Sequence, residues 1–249
     1  MRTFFTLWRK ELSAYFLSPI AYVVIIFFLM VMGFSFWLLT NILVQEAGDA
    51  TVMKELFGSI FFWIATLIVV PVITMRLFAE EKRMGTIETL MTAPVSDVSV
   101  VLAKYAGALA FFVVLWAPTI AYVYILKIFS SATAPIDYGP ILGGYVGAFL
   151  VGAFYISVGL FASSMTRNQI VAAIVCFALI TLAFFAGFIP YITRVDAVRE
   201  VGSYVSSVAH MLDFSRGAFD TRPIVFYLSG SLWMLFLTVK IIEARKWIS

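Results

Sequence analysis

Residues 138–166 read YGPILGGYVGAFLVGAFYISVGLFASSMT, a mostly apolar run that contains no Asp, Glu, Lys, Arg or His. A helix that rises about 1.5 Å per residue needs about 20 such residues to cross a hydrocarbon core of about 30 Å. The run is therefore long enough to cross a membrane once as a helix.

Five other runs between neighbouring ionised residues have the same character. The six charge-free runs cover residues 12–45, 56–75, 105–126, 138–166, 168–193 and 223–239. The last run is short, but Ile241 and Ile242 extend it while Lys240 can reach the membrane surface. We predict six transmembrane helices, at residues 20–41, 56–77, 104–127, 139–164, 168–190 and 223–242.

The composition agrees with a membrane location. Of 249 residues, 63% are hydrophobic and 12% are charged, whereas a soluble domain is about half apolar and about a quarter charged. Too little polar surface remains to cover a body that faces water, so the excess apolar surface must face lipid. We predict an all-α polytopic membrane protein in which residues 1–249 form a single transmembrane domain within the lipid bilayer.

The positions of Lys and Arg indicate the orientation. Six spans place both termini on one side, which carries eleven basic residues: Arg2, Arg9, Lys10, Arg76, Lys82, Arg83, Lys104, Arg167, Lys240, Arg245 and Lys246. The other side carries six: Lys54, Lys127, Arg194, Arg199, Arg216 and Arg222. Since cytoplasmic loops are enriched in Lys and Arg, we expect both termini to be cytoplasmic, in a cytoplasmic (inner) membrane. The net charge of +3 reflects this bias and indicates no nucleic-acid partner.

Residues 1–17 form an amphipathic pattern before the first span. One helical face carries Phe4, Phe5, Trp8, Leu12, Tyr15 and Phe16, and the polar residues lie mostly on the other. This pattern predicts a helix in the membrane interface, with Trp8, Arg9 and Lys10 at the surface. A simple cytoplasmic tail is the alternative.

Small residues and prolines mark particular positions within the spans. Gly143, Gly147 and Gly152 lie on one small-residue face that would let another helix approach closely. The partner helix can belong to a second subunit or to this chain. Pro71 and Pro118 should kink their spans.

The long external loop at residues 191–222 is not featureless. Apolar residues recur there at three- and four-residue steps: Val195, Val198, Val201, Val205, Val208 and Leu212. We expect one or two short helices folded back against the outer leaflet. His210 lies in this loop, and we interpret it as a hydrogen-bonding residue.

Several kinds of chemistry have no residues to support them. The sequence contains no G-x-x-x-x-G-K-[ST] phosphate loop, one His and one Cys, so we predict no catalytic site, cofactor or metal in this chain. The six runs also lack the titratable residues that proton-coupled carriers keep at membrane depth. Energy for transport would have to come from another protein.

The densest charge cluster follows the second span, where residues 78–97 read FAEEKRMGTIETLMTAPVSD. Mixed charge around a small apolar ridge favours docking onto a soluble partner, although a solvated loop is the alternative. Gly85 permits a break between two helical pieces, and Ser96 or Asp97 can cap the next helix. The candidate docking residues are Glu80, Glu81, Lys82, Arg83, Gly85, Thr86 and Glu88.

Residues 78–97 resemble the signature loop of type-2 ABC transporter permeases. Within that family, this loop is similar to the gliding-motility-associated permeases, together with the related permease of the nitrous-oxide reductase maturation system. Residues 210–229, HMLDFSRGAFDTRPIVFYLS, resemble the same subfamily. The resemblance implies a dimer of six-span subunits and two copies of a separate ATPase that binds ATP and Mg. That ATPase would contact residues 80–88 as a coupling helix and the N-terminal interfacial helix. It also implies an external gate at 191–222, an accessory membrane protein with an external domain, and export or mechanical work.

Two other classes of function remain open from the residues alone. One is a polytopic membrane enzyme acting on lipid or peptide, for which the spans offer only hydroxyls such as those of Ser157, Thr181 and Ser229. The other is a structural anchor for a larger membrane complex.

Overall fold

The computed structural model describes residues 2–45, 51–86, 95–129, 137–192 and 195–245. Within these ranges the chain is helical, with short connections and no β-strand. The helices are α1 (Arg2–Phe16), α2 (Pro19–Gln45), α3 (Val52–Gly58), α4 (Ile60–Thr74), α5 (Arg76–Met84), α6 (Asp97–Trp116), α7 (Ile120–Phe129), α8 (Tyr138–Met165), α9 (Gln169–Ala186), α10 (Ile189–Ile192), α11 (Asp196–Val205), α12 (Ser207–Ser215) and α13 (Thr221–Arg245).

Six helical segments of the described chain are long and apolar enough to cross a membrane. They are Pro19–Leu43, Ile60–Met84, Asp97–Ile128, Tyr138–Met165, Gln169–Ala186 and Thr221–Ala244. The predicted all-α polytopic architecture is confirmed. Because successive spans alternate in direction, α1 and α5 lie at one end of the bundle, which we call the α1 end, and α3, α11 and α12 lie at the opposite end.

The second span begins later than residue 56, where the sequence placed it. Ser59 adopts extended backbone angles and its side chain accepts a hydrogen bond from the Phe62 N–H at 3.3 Å, so it caps α4. Leu56 and Phe57 belong instead to α3, and with Met53 of the same helix they are fully buried in the bundle. The segment between the first two spans therefore contributes to the core.

The third span begins at Asp97, seven residues before the predicted residue 104. Ser96 caps it by accepting a hydrogen bond from Ser99 N–H at 3.3 Å, which confirms one of the two predicted caps. Lys104 consequently lies two turns inside the helix. At Pro118 the α-helix gives way to a 3₁₀ turn, Ala117–Thr119, as expected where proline removes a backbone donor.

The fourth span, α8, is the centre of the bundle, and its glycines are covered by other parts of this chain. A Cβ at Gly143 would lie 2.1 Å from the backbone oxygen of Phe214, and one at Gly152 would lie 2.3 Å from the ring of Phe112. Gly147 lies against Phe214 in the same way. The small-residue face is therefore occupied within the chain by α12 and α6.

The loop at residues 191–222, which the sequence predicts to be external, contains two short helices, α11 and α12, as expected. The apolar stripe is divided between them because Ser206 has extended angles and caps α12 by accepting from Ala209 N–H at 3.1 Å. The α11 part of the stripe is exposed, with Val201 65% accessible, whereas α12 packs between α3 and α8. His210 of α12 is buried, and its Nδ1 lies 3.2 Å from the Tyr227 hydroxyl, which confirms its hydrogen-bonding role.

Acid should weaken the attachment of α12. Burial lowers the pKa of His210, although Asp213 and Asp220 act against that effect. A base with a lowered folded-state pKa contributes stability above its unfolded value, near 6.5, and loses it as the pH falls through the folded-state value. We expect the unfolding midpoint of the chain in detergent to fall more between pH 7.5 and pH 5.5 than that of His210→Gln. Equal falls in both proteins would contradict this.

Candidate functional site

The helix α5 carries the second span beyond the body of the bundle at the α1 end. It begins at Arg76, so only Met75 separates it from the end of α4 at Thr74. It ends at Met84, and Gly85 is its C-cap. Gly85 has φ of +71°, a left-handed conformation that glycine adopts without the cost of a Cβ. Part of the charged segment predicted from the sequence therefore lies in α5. This helix, Arg76–Met84, extends the second span.

Side chains and carbonyls of α8 hold the start of α5. The junction at Met75 leaves backbone groups without partners in their own helix. The Ser163 hydroxyl accepts hydrogen bonds from Phe78 N–H at 3.0 Å and Ala79 N–H at 3.1 Å, and donates to Met75 O at 3.0 Å. Lys82 is buried and donates to the Ser164 carbonyl oxygen. The second and fourth spans are therefore joined at this junction.

A buried ionic bridge joins α5 to α6 and α1. Lys104, only 2% exposed, places its Nζ 2.9 Å from Glu11 Oε1 and 2.8 Å from Glu81 Oε1. The same ammonium lies 5.3 Å from the centre of the Phe78 ring. Hydrogen-bonded charges in partly dry surroundings bind each other more strongly than exposed ones. One lysine thus connects three separate segments of the chain.

Further contacts hold α1 and the residues after it against the second and third spans. A Cβ at Gly107 would lie 2.9 Å from Glu11 Cβ, which shows how closely α1 approaches the third span. Arg76 donates to Ser18 Oγ at 2.8 Å and lies 4.7 Å from the centre of the Tyr15 ring. The buried Tyr15 hydroxyl donates to Ile73 O at 2.7 Å, and burial raises the pKa of this phenol above its ordinary value.

An open cleft of about 480 Å³ lies between the second half of α1 and the length of α5. Its walls carry charges of both signs, among them Lys10, Glu11, Arg76, Glu80 and Glu81. The second carboxylate oxygen of Glu81 is buried with no hydrogen-bond partner among the described residues. The cleft is therefore a concave surface at the α1 end that combines apolar walls with charges of both signs, suited to a partner that offers both kinds of group.

The seven candidate docking residues are placed differently from one another. Arg83, Gly85 and Thr86 are exposed and Glu80 is half-buried beside the cleft. Glu81 and Lys82 point into the protein, because each satisfies its charge with a buried partner. Glu88 lies outside the described residues.

The predicted interfacial residues of α1 are also divided. Arg9 and Lys10 are exposed, whereas Trp8 is half-buried. The face of α1 that packs on the bundle includes Glu11 and Tyr15, while the aromatic Phe5 is 60% exposed. One face of α1 therefore packs on the bundle, and other apolar side chains of the helix are exposed at the surface.

Lys104 and Glu11 are the site residues that the sequence did not single out. Two signals were present. Lys104 is a single cation followed and preceded by apolar residues at helical spacing, and Glu11 is an acid on an otherwise basic amphipathic segment. A buried lysine requires acidic partners, so the two residues could have been paired on that ground.

Neither a metal-binding cluster nor a Ser157 or Ser229 hydroxyl paired with a base is present in the part of the chain that the structure describes. Among the described residues no three His, Cys, Asp or Glu side chains form a group that could hold a metal ion. Ser157 donates to Phe154 O at 2.6 Å and Ser229 to Phe226 O at 3.2 Å, so each bonds its own helix rather than a base. These hydroxyls do not form a nucleophilic site.

Removal of the Ser163 hydroxyl should loosen α5. Ser163→Ala leaves two buried N–H groups and one carbonyl unpaired, for which we expect a loss of about 1–3 kcal/mol of unfolding free energy. Ser157→Ala is the matched control, because Ser157 is equally buried in the same helix but bonds only its own backbone. Unfolding in detergent, followed by fluorescence, measures both variants. Equal effects would contradict a special role for Ser163.

Comparison with known proteins agrees with this arrangement. Residues 39–241 match the family described as ABC-2 family transporter protein, a range that includes all of the second to fifth spans, α5 and most of the sixth span. No curated protein matches the chain. Because the match extends over most of the chain, from the end of the first span into the last, this protein belongs to the ABC-2 family of transporter membrane proteins.

Proposed function

We propose that this chain is the permease subunit of an ABC transporter and that a separate ATPase drives it through α5 and α1. The observation that carries the proposal is the attachment of α5. This projecting helix is joined to the fourth span by Ser163, and Lys104 links it to the third span and α1. A force applied to α5 would therefore reach the second span, which α5 extends, and also the third span, the fourth span and α1.

The assembly that this function requires contains more than one copy. In the proposal two permease chains form the path through the membrane, and two ATPase subunits bind ATP and Mg beneath them. The α1 end then faces the cytoplasm, both termini are cytoplasmic and the membrane is the cytoplasmic (inner) one. The unequal distribution of Lys and Arg supports this orientation.

The accessible residues define the proposed docking surface. Glu80 and Thr86 line the cleft with Lys10 of α1, and Arg83 and Gly85 are exposed beside them in the chain. When the ATPases bind nucleotide and close, they would move α5. The movement would be passed on to the second span, because only one residue separates α5 from α4. The buried bridge would keep α1 and the third span in register with it.

Work outside the cytoplasm is the proposed output. Export, or mechanical action on an external partner, is the output that the resemblance to type-2 ABC permeases implies. The likeness of residues 210–229 to the gliding-motility-associated permeases supports that subfamily. It also supports an accessory membrane protein with an external domain as a further partner.

Co-purification tests the proposal. The chain is isolated from native membranes in mild detergent, its partners are identified, and ATP hydrolysis is measured. We expect a P-loop ATPase to accompany the chain and to be lost from Arg83→Glu and Glu80→Lys. Arg199→Glu, an exposed charge reversal on α11 at the opposite end, should retain it. Absence of any ATPase in several detergents, with the chain still folded, would contradict the proposal.

A further inference from the structure

A trough open to the surface follows the third span beyond Pro118. The 3₁₀ turn at Ala117–Thr119 interrupts the helix there, because proline lacks an N–H and its ring crowds the preceding turn. On one side of the turn, Tyr122 of α7 stacks on Phe36 of the first span with ring centres 4.5 Å apart. On the other side, a gap separates α7 from the first half of α8.

Two adjoining cavities make up this trough. The inner one, of about 280 Å³, reaches back to Phe112, and the outer one, of about 620 Å³, extends to Lys127. Ile120, Tyr145 and Phe149 line both, so the two cavities lie next to each other along α7 and α8. The walls are almost entirely apolar, and the trough opens towards the surface that a bilayer would cover.

The length of the trough matches a lipid chain rather than a small solute. Phe112 and Lys127 are fifteen residues apart, which at 1.5 Å per residue is about 22 Å along the helix. One leaflet of a hydrocarbon core is about 15 Å thick. An acyl chain that lies in the trough can therefore run from the middle of the membrane to its surface.

The outer end of the trough carries the groups that a lipid headgroup would meet. Lys127, in the last turn of α7, is the only charged residue of the described part of the chain that lines either cavity. It has no ion-pair partner among the described residues. Tyr124 and Tyr138 flank it and are 64% and 60% exposed, as is usual for tyrosines at a membrane interface.

We propose that this trough binds one anionic phospholipid, with an acyl chain along α7 and α8 and its phosphate at Lys127. The positive charge at the end of an apolar, chain-length groove selects this class over an uncharged lipid. The tyrosine hydroxyls can donate hydrogen bonds to the phosphate and ester oxygens. The site lies at the end opposite α1 and does not depend on the proposed ATPase.

Photolabelling of the full-length chain tests the proposal. The protein is reconstituted in phosphatidylcholine vesicles that contain a small fraction of phosphatidylglycerol with a diazirine on its acyl chain. After irradiation, the labelled residues are mapped by mass spectrometry. We expect the label on Ile120–Phe129 and on the first half of α8, displaced by unlabelled phosphatidylglycerol but not by phosphatidylcholine.

Substitutions separate a headgroup site from general contact with lipid. Lys127→Gln should lower labelling of the trough about fivefold, the effect of one lysine near an anionic lipid surface, and Lys127→Arg should retain it. Lys54→Gln, which removes another cation at the same end, is the matched control and should have no effect. Leu142→Trp, which fills the outer cavity, should reduce labelling of α8.

Three results would overturn the proposal. Labelling that is spread equally over other exposed faces, such as that of Phe185 on α9, would indicate general lipid contact only. Equal labelling of the Lys127→Gln variant would exclude the headgroup contact. Protein–protein crosslinks from a photoreactive residue at position 142 to a second copy would assign the trough to a dimer interface instead.

Discussion

Replacing Lys104 by methionine is expected to lower the unfolding free energy by about 3–5 kcal/mol, because removing one partner leaves buried charges unpaired. Glu11 and Glu81 would then face each other without the ammonium that both of them bind. A loss of this size corresponds to a fall in the thermal midpoint on the order of 10 °C. Size-exclusion chromatography of heated samples in detergent measures it.

Two further variants separate the bridge from a general effect of losing a lysine. Lys240→Met removes an exposed pair with Glu243, for which we expect a change below about 1 kcal/mol. Adding Glu11→Gln and Glu81→Gln to Lys104→Met removes the unpaired charges and should restore most of the midpoint. If the triple variant is no more stable than Lys104→Met, the lysine acts through packing and not through the bridge.

A single methyl group at Gly143 is expected to cost about 3 kcal/mol, the upper end of the range for overpacking a core. The new Cβ would lie 2.1 Å from the backbone oxygen of Phe214, and a backbone atom cannot move aside as a side-chain tip can. We expect Gly143→Ala to push α12 away from α8 and to lower the unfolding midpoint in detergent.

Gly33→Ala is the matched control for this effect. Gly33 also lies inside a span, but a Cβ there meets only the Tyr122 hydroxyl, at an ordinary 3.4 Å. Alanine is the better helix former, so the control should leave the midpoint unchanged or raise it. Similar losses in both variants would show that α12 is not held against Gly143 as the structure has it.

The number of spans could be predicted because ionised residues are costly in lipid and therefore bound each apolar run. Their ends were harder to predict for the same reason. A rule that ends a span at every charge places the start of the third span at Lys104, whereas the helix begins at Asp97. Lysine is tolerated inside because two carboxylates from distant parts of the chain neutralise it.

The breaks between short helices can be predicted from the residues nearby. The hydrogen bonds that hold the start of α5 to Ser163 cannot. Ser59 and Ser206 each cap the helix that follows, a preference of serine that can be read from the residues nearby. Ser163 instead bonds backbone groups of residues 78 and 79, more than 80 positions earlier. Only the packing of α8 against the second span brings these groups together.

The most direct test of the central claim is a crosslink from α5 itself. A photoreactive amino acid is placed at Arg83, which is exposed on α5, or at Arg199, which is exposed on α11 at the opposite end. Native membranes are irradiated and the adducts are identified by mass spectrometry. We expect an adduct with a P-loop ATPase from position 83 and none from position 199. No ATPase adduct from position 83, or equal adducts from both, would contradict it.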